Sequence, residues 1–242
     1  MSSQTGIAFA AIIAAGGSGS RFAKGSQGVA KQFLHFRGLP LYAWSLLALS
    51  KYDQLQQIVV VTPSDMVPKT NDEIKDLVAA HNLRPKISVI AGGASRQASV
   101  FCGLKELEES GDPPDFVIVH DAARPFLDIQ TVESVSKKVI ECGACTVGGS
   151  VTDTIKKVKN GLIVETLVRE ELIAVQTPQA ANFALLLSAH REAALAGFAT
   201  TDDAALLEWA GHEVFVLEGP KYNLKVTDPL DLMLAEALAD YL

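Results

Sequence analysis

The segment Ile7-Ala-Phe-Ala-Ala-Ile-Ile-Ala-Ala-Gly-Gly-Ser-Gly-Ser-Arg21 joins an unbroken apolar run to a glycine-rich turn. The run Ile7 to Ala15 reads as a strand buried on both faces, the pattern of a parallel sheet covered by helices. Gly16, Gly17 and Gly19 lack a Cβ, so the turn can be tight and bring backbone N–H groups close to phosphate oxygens. Two common nucleotide loops are disfavoured by the residues themselves. A dinucleotide fingerprint starting at Gly17 needs glycine at position 22, which is Phe22, and Lys24-Gly25-Ser26 has the wrong order for a phosphate-binding P-loop. The turn leads instead into Arg21, with Lys24 and Lys31 downstream. Cations placed there can hold a triphosphate and stabilise charge developing at phosphorus. A loop after the first strand of an α/β sheet is a frequent ligand site, so Ala14, Ala15, Gly16, Gly17 and Gly19 are expected to line a nucleotide. A plain glycine-rich surface turn is the competing reading.

Outward from this turn, strand-like and helix-like segments alternate. Leu39 to Ser50 has helical spacing with Pro40 suited to a first turn, and Gln57 to Thr62 is β-branched and stops at Pro63. Helical patterns at Asp72 to His81, Ser95 to Glu109 and Ile129 to Glu141 flank strand candidates at Lys86 to Ile90 and Phe116 to His120. The expected fold is α/β, Rossmann-like, with a mostly parallel sheet and helices on both faces. One domain over residues 1–242 is expected, since the length suits a single α/β domain and no repeat or linker interrupts the pattern. Between Ser150 and Arg169 the pattern changes. Val151 to Lys159 and Leu162 to Val168 flank Asn160-Gly161, a two-residue hairpin signal. The apolar residues there predict a projecting arm, at about 150–172, covered by a second copy in a homodimer; an ordinary hairpin packed on its own domain is the alternative. After it, a helix is read from about Ala180 to Ala196, another at Asp203 to Ala210, a strand at His212 to Leu217, and a last helix opening at Asp228-Pro229.

The bulk numbers narrow the partners. A formal net charge of -7 argues against nucleic acid or an anionic membrane as the main partner. Three cysteines, Cys102, Cys142 and Cys145, form no disulfide framework, and a reducing cytoplasm is expected. Cys142-Gly-Ala-Cys145 has redox spacing but no second pair to complete a zinc site. No basic segment precedes Ile7 as in a secretion signal, and no apolar run reaches the ~18 residues a bilayer requires. An anionic ligand must therefore meet a local cluster of basic residues.

His120-Asp121-Ala-Ala-Arg124-Pro125 follows a strand, where α/β sheets place ligands. There Asp121 can hold Mg²⁺ and Arg124 can meet an anion or brace the loop; a cap or turn role for Asp121 is the alternative. Arg169 lies past the hairpin, Thr177-Pro-Gln179 after it, and Asn223-Leu-Lys225 before the last helix. Arg21, Lys31, Arg124, Arg169 and Lys225 are the candidate basic cluster.

Ala15-Gly-Gly-Ser-Gly-Ser-Arg21, Lys31-Gln-Phe, His120-Asp-Ala-Ala-Arg-Pro125, Asp153-Thr154, Thr177-Pro-Gln179, Thr201-Asp-Asp-Ala204 and Asn223-x-Lys225-Val-Thr227 together resemble the 2-C-methyl-D-erythritol 4-phosphate cytidylyltransferases. The resemblance runs through nearly the whole chain in order. It implies transfer of CMP from CTP to methylerythritol phosphate, Mg²⁺ dependence and a homodimer with exchanged arms. It also implies that Arg21 and Lys31 contact CTP phosphates, Gly93 and Ser99 address the cytosine, and Asp121 faces metal and acceptor. Thr154 and Arg169, from the partner's arm, would hold the substrate phosphate with Lys225, and Thr177 would line the acceptor site. Ribitol-5-phosphate cytidylyltransferases look similar; a non-catalytic nucleotide-binding protein is the reading from another class. This sequence departs from the family in a longer stretch between Arg21 and Lys31, in Ala30 where proline is usual, and in Ala94 where aspartate is frequent.

Overall fold

The computed structural model describes residues 6–16 and 31–240. Gly17, Gly19, Arg21 and Lys24, all singled out above, lie outside the described residues. The first strand, β1 (Phe9–Ala14), leads through two short paired strands, β2 (His35–Phe36) and β3 (Leu39–Pro40), to helix α1 (Leu41–Leu49). Then follow β4 (Leu55–Thr62), α2 (Val67–His81), β5 (Lys86–Ala91), α3 (Arg96–Glu109), β6 (Phe116–Asp121) and α4 (Ile129–Cys142). The second half holds β7 (Ala144–Ser150), β8 (Lys156–Lys159), β9 (Leu162–Thr166), β10 (Ile173–Asn182) and α5 (Phe183–Ala196). It ends with α6 (Asp203–Trp209), β11 (Phe215–Glu218) and α7 (Pro229–Leu238).

Seven strands form one sheet in the order β11-β7-β10-β6-β1-β4-β5. All neighbours run parallel except β10, which is antiparallel to both β6 and β7. The α/β fold with a mostly parallel sheet is thus the one expected. Along β1, Phe9, Ala11 and Ile13 pack on one face with α1, α2 and α4, while Ala10 and Ile12 pack on the other with α3, α5 and α6. That double burial is why β1 reads as a continuous apolar run rather than an alternating one. Gly103 lets α3 settle onto this layer, since a Cβ there would lie 2.9 Å from Ile12 Cγ2. From β1 the chain goes to β4 on one side, and after β5 it crosses to β6 on the other. The crevice between β1 and β6 is therefore a topological switch point, the place where open α/β sheets take ligands.

Four strands were not foreseen: the short β2 and β3, whose Leu39 and Pro40 read as the start of a helix that begins only at Leu41, and β7 and β10 of the main sheet. β7 and β10 lie inside the sheet, and Ala180 and Ala181, read as the start of a helix, pair with Ile118 and Val117 of β6. The helix begins only at Phe183, where the Asn182 side chain accepts the Leu185 N–H. The hairpin is shorter than Val151 to Val168, but its turn is as expected: Asn160 and Gly161 take φ of 51° and 79°, as a type I′ turn demands. β8 and β9 form a separate two-stranded sheet whose residues are all exposed. Asp228 caps α7 in a capping box with Asp231. No helix among the described residues is long and apolar enough to cross a membrane.

Candidate active site

Parallel pairing brings the ends of β1 and β6 side by side, with Ala14 opposite Asp121. On the β1 side the chain is held at Ala15, just before the glycine-rich segment. The Ala15 N–H donates to the Val61 carbonyl at 2.8 Å, and the buried Gln32 amide donates to the Ala15 carbonyl at 2.6 Å. Gln32 belongs to a short 3₁₀ turn, Lys31–Phe33. Gln32 was not singled out from the sequence, although it is the middle of the Lys31-Gln-Phe motif.

Ser99 ties this edge to the neighbouring loop. Its hydroxyl accepts from the Gly93 N–H at 3.2 Å and donates to the Ser95 carbonyl at 2.9 Å. A Cβ on either Gly16 or Gly92 would lie 2.6 Å from that oxygen, so both backbones pass against it. A Cβ on Gly93 would come within 2.5 Å of Ala98 Cβ. Glycine is required here by close approach, and the result is a narrow shelf of backbone leading from β1 to the first turn of α3.

On the β6 side lies a cluster of charges. Asp121 is buried, and each of its oxygens has a cation: Arg96 Nε donates to Oδ1 at 2.8 Å, and Lys225 Nζ donates to Oδ2. Burial alone would raise the Asp121 carboxyl, but the Arg96 and Lys225 charges override it and hold it well below the usual carboxylate range. Arg96 also donates from Nη1 to Asp203 at 2.8 Å. The Asp121 N–H donates to Thr177 Oγ1 at 3.1 Å. With that oxygen accepting, the Thr177 hydroxyl donates to His120 Nδ1 at 3.1 Å, and His120 Nε2–H donates to the Arg124 carbonyl at 3.1 Å. Both bonds require a neutral ring, and burial pushes the His120 pKa down to about 4. Arg124 reaches across to the Asn223 carbonyl at 2.7 Å, and Asn223 Nδ2 donates to the Thr177 carbonyl at 2.8 Å. Arg124 thus braces the loop carrying Lys225. Thr177 falls where the β10–β7 register jumps between Val175 and Gln179, an irregularity of the kind that re-aims a side chain.

The structure therefore joins Asp121, Arg124, Thr177 and Lys225, and it sets Ala14, Ala15, Gly16, Gly93 and Ser99 along the adjoining edge. Thr154 and Arg169 stay apart. Both are exposed at the base of the arm, and the Arg169 guanidinium donates to the Thr152 carbonyl at 3.1 Å rather than to any group of the Asp121 cluster. Arg96 and Asp203, at the centre of the charge network, were missed. Their only sequence signal was membership of Ala91-Gly-Gly-Ala-Ser-Arg96 and Thr201-Asp-Asp-Ala204.

A buried carboxylate held by two cations at the end of β6, at a switch point beside the end of β1, fits a nucleotidyltransferase with a Rossmann-like sheet. Comparison with known proteins narrows this. The family model for 2-C-methyl-D-erythritol 4-phosphate cytidylyltransferase matches residues 9–240. A protein of that name from Halalkalibacterium halodurans is 36% identical over 230 residues, covering 95% of this chain and 96% of its own. One from Bacillus cytotoxicus is 39% identical over 226 residues, with 93% and 95% covered. The crystal structure of 2-C-methyl-D-erythritol 4-phosphate cytidylyltransferase from Thermus thermophilus superposes with a TM-score of 0.74 at 31% identity, covering 95% and 98%. That of 4-diphosphocytidyl-2C-methyl-D-erythritol synthase from Anaerococcus prevotii gives 0.82 at 26%, covering 97% and 96%. The chain belongs to the 2-C-methyl-D-erythritol 4-phosphate cytidylyltransferase family. It is a cytidylyltransferase of the non-mevalonate route to isoprenoid precursors.

Proposed function

We propose that the β1–β6 crevice transfers CMP by in-line displacement. A phosphate oxygen of methylerythritol 4-phosphate attacks the α-phosphorus of CTP, and pyrophosphate leaves. The observation that carries this reading is the ionised Asp121, held between Arg96 and Lys225 beside the end of β1. The acceptor is already an anion, so no general base is needed. This agrees with a His120 whose two ring nitrogens are engaged inside the protein. Catalysis is positioning and charge neutralisation.

The backbone of Ala14, Ala15, Gly16, Gly17 and Gly19 cradles the triphosphate, with Arg21 and Lys31 as its cations. Gly93 supplies backbone groups to the cytosine, and Ser99 shapes that shelf. Lys225 holds the acceptor's phosphate, with Thr177 and Arg124 fixing the loop behind it. Mg²⁺ dependence is common in the family. The donor set fits: Asp121 accepts one hydrogen bond on each oxygen, leaving lone pairs for a hard cation that takes few carboxylates and completes its shell with phosphates. When bound, Mg²⁺ neutralises triphosphate charge. Thr154 and Arg169 reach the site from the arm of a second copy. A homodimer is supported by the exposed Val158, Leu162, Ile163 and Val168 on that arm.

The test is pyrophosphate release with CTP and Mg²⁺, comparing methylerythritol 4-phosphate with ribitol 5-phosphate. Release is expected with the first, and release with neither refutes the reading. Lys31→Ala should lower turnover by about 10²-fold. Near-normal turnover in that variant would remove Lys31 from the mechanism.

A further inference from the structure

The charges behind Asp121 form a chain ending in a motif that the mechanism above leaves without a role, Thr201-Asp-Asp-Ala204. Arg96, the first residue of α3, spans two carboxylates: Nε to Asp121 Oδ1 at 2.8 Å and Nη1 to Asp203 Oδ2 at 2.8 Å. Asp203, the first residue of α6, is 3% exposed and held on several sides. Its own N–H and that of Ala204 donate to Gln179 Oε1 at 2.9 and 3.0 Å. Its second carboxylate oxygen lies 3.3 Å from His190 Nε2. The His190 ring is in turn stacked on Phe101, with centroids 5.7 Å apart and planes at 12°. His190 of α5 therefore holds the carboxylate that grips Arg96, while Gln179 of β10 fixes the backbone that carries it.

The two cations on Asp121 are not equivalent. The Lys225 side chain is 37% exposed, reaches Asp121 as a point charge, and can turn toward an anionic ligand. The Arg96 guanidinium is a planar fork 22% exposed with one tine already committed to Asp203. Once Lys225 turns to the acceptor, Arg96 is the remaining side chain of the pair that sets the torsion of the Asp121 carboxylate. Without Asp203, the guanidinium would be free to swing toward the triphosphate and leave Asp121 unoriented.

We propose that Arg96 and Asp203 are positioning residues, Asp203 anchoring Arg96 and Arg96 aiming the Asp121 carboxylate at the metal–triphosphate complex. This rests on the assignment of Asp121 made above. Asp203→Asn keeps the volume and one acceptor oxygen, and Arg96→Lys keeps the charge without the fork. Partners one step behind a metal ligand typically matter by 10–100-fold, so Asp203→Asn should raise the half-saturating Mg²⁺ and lower kcat, each by about tenfold. The KM for CTP should stay within about twofold, because the altered contact orients a carboxylate rather than binding the base. Because Asp203 acts through Arg96, the double variant should be no worse than Arg96→Lys alone.

A second readout needs no turnover: protein-bound Mn²⁺ measured by paramagnetic resonance with CTP and no acceptor, which should weaken by the same factor in Asp203→Asn. Thermal unfolding is followed in parallel. If Asp203→Asn lowers the melting temperature but leaves both the Mg²⁺ half-saturation and the Mn²⁺ affinity at wild-type values, Asp203 is a structural residue only and the proposal falls. Wild-type protein that binds no Mn²⁺ with CTP also overturns it. Wild-type protein that binds Mn²⁺ yet releases no pyrophosphate refutes the transfer reaction instead, and the Mn²⁺ comparison still decides the positioning.

Discussion

Replacing Gly16 by alanine puts a methyl group against the Ser99 hydroxyl, which ties the edge of β1 to the loop before α3. The added Cβ would lie 2.6 Å from Ser99 Oγ and 3.3 Å from Ser99 Cβ. The first distance is untenable, and the second needs only a few tenths of an ångström of adjustment. Ser99 cannot rotate cheaply, because its hydroxyl accepts from Gly93 and donates to Ser95. Each such bond is worth about 0.5–1.5 kcal/mol, and overpacking a close contact costs about 1–3 kcal/mol. Gly16→Ala is therefore expected to lose about 2 kcal/mol by urea unfolding, with kcat/KM for CTP down by about tenfold or more as the shelf shifts. Ser99→Ala alone loses the two bonds, about 1–2 kcal/mol. It also removes the oxygen that the new methyl strikes. The double variant should then be nearly as stable as Ser99→Ala, a coupling of about 1–2 kcal/mol in the cycle. Strictly additive losses would refute the claim that the Gly16 backbone is held against the Ser99 hydroxyl.

Other expectations follow from the same geometry. Lys225→Ala removes one cation from Asp121 and from the acceptor site, so turnover should fall by about 10²-fold with the fold intact by circular dichroism. Val158 and Ile163 face each other across the arm, 58% and 64% exposed; Ile163→Asp should shift the protein to a monomer in light scattering and leave urea unfolding of the monomer almost unchanged. Burial, with the neighbouring Cys142, pushes the Cys145 thiol up to about 12. Its folded pKa lies above the unfolded value, so its contribution to stability is complete below about pH 8.5 and is lost as pH rises toward 12. Iodoacetamide at pH 8 should accordingly spare Cys145 in the native protein and alkylate it in urea, a difference that peptide mass mapping reads directly.

What the sequence made legible was local chemistry. The β1 run, the Asn160-Gly161 turn and the Asp228-Pro229 helix start each carry their cause within a few residues, and each appears where expected. β7 and β10 carry theirs elsewhere. Ala144-Cys-Thr-Val-Gly-Gly-Ser150 has little strand character of its own. Its Gly148 is required because a Cβ would meet Ile173 Cγ1 at 2.7 Å and the Ala174 carbonyl at 3.0 Å, atoms of a strand far along the chain. Ala180 and Ala181 favour a helix locally and become strand only through pairing with β6, a case of tertiary context overriding propensity.

The site divides the same way. Asp121 and Lys225 could be read from position, one past a strand and one before a helix, because ligand sites in such sheets lie at strand ends. Arg96 and Asp203 could not, because an arginine in a helix's first turn and an aspartate at another helix's start ordinarily face water. Only the fold reveals that the two meet, Nη1 to Oδ2 at 2.8 Å and 107 positions apart in the chain. Arg169 and Thr154 mark the limit of what one chain displays. If a second copy covers the apolar arm as proposed, the hairpin that closes the dimer also carries Arg169 to the acceptor's phosphate.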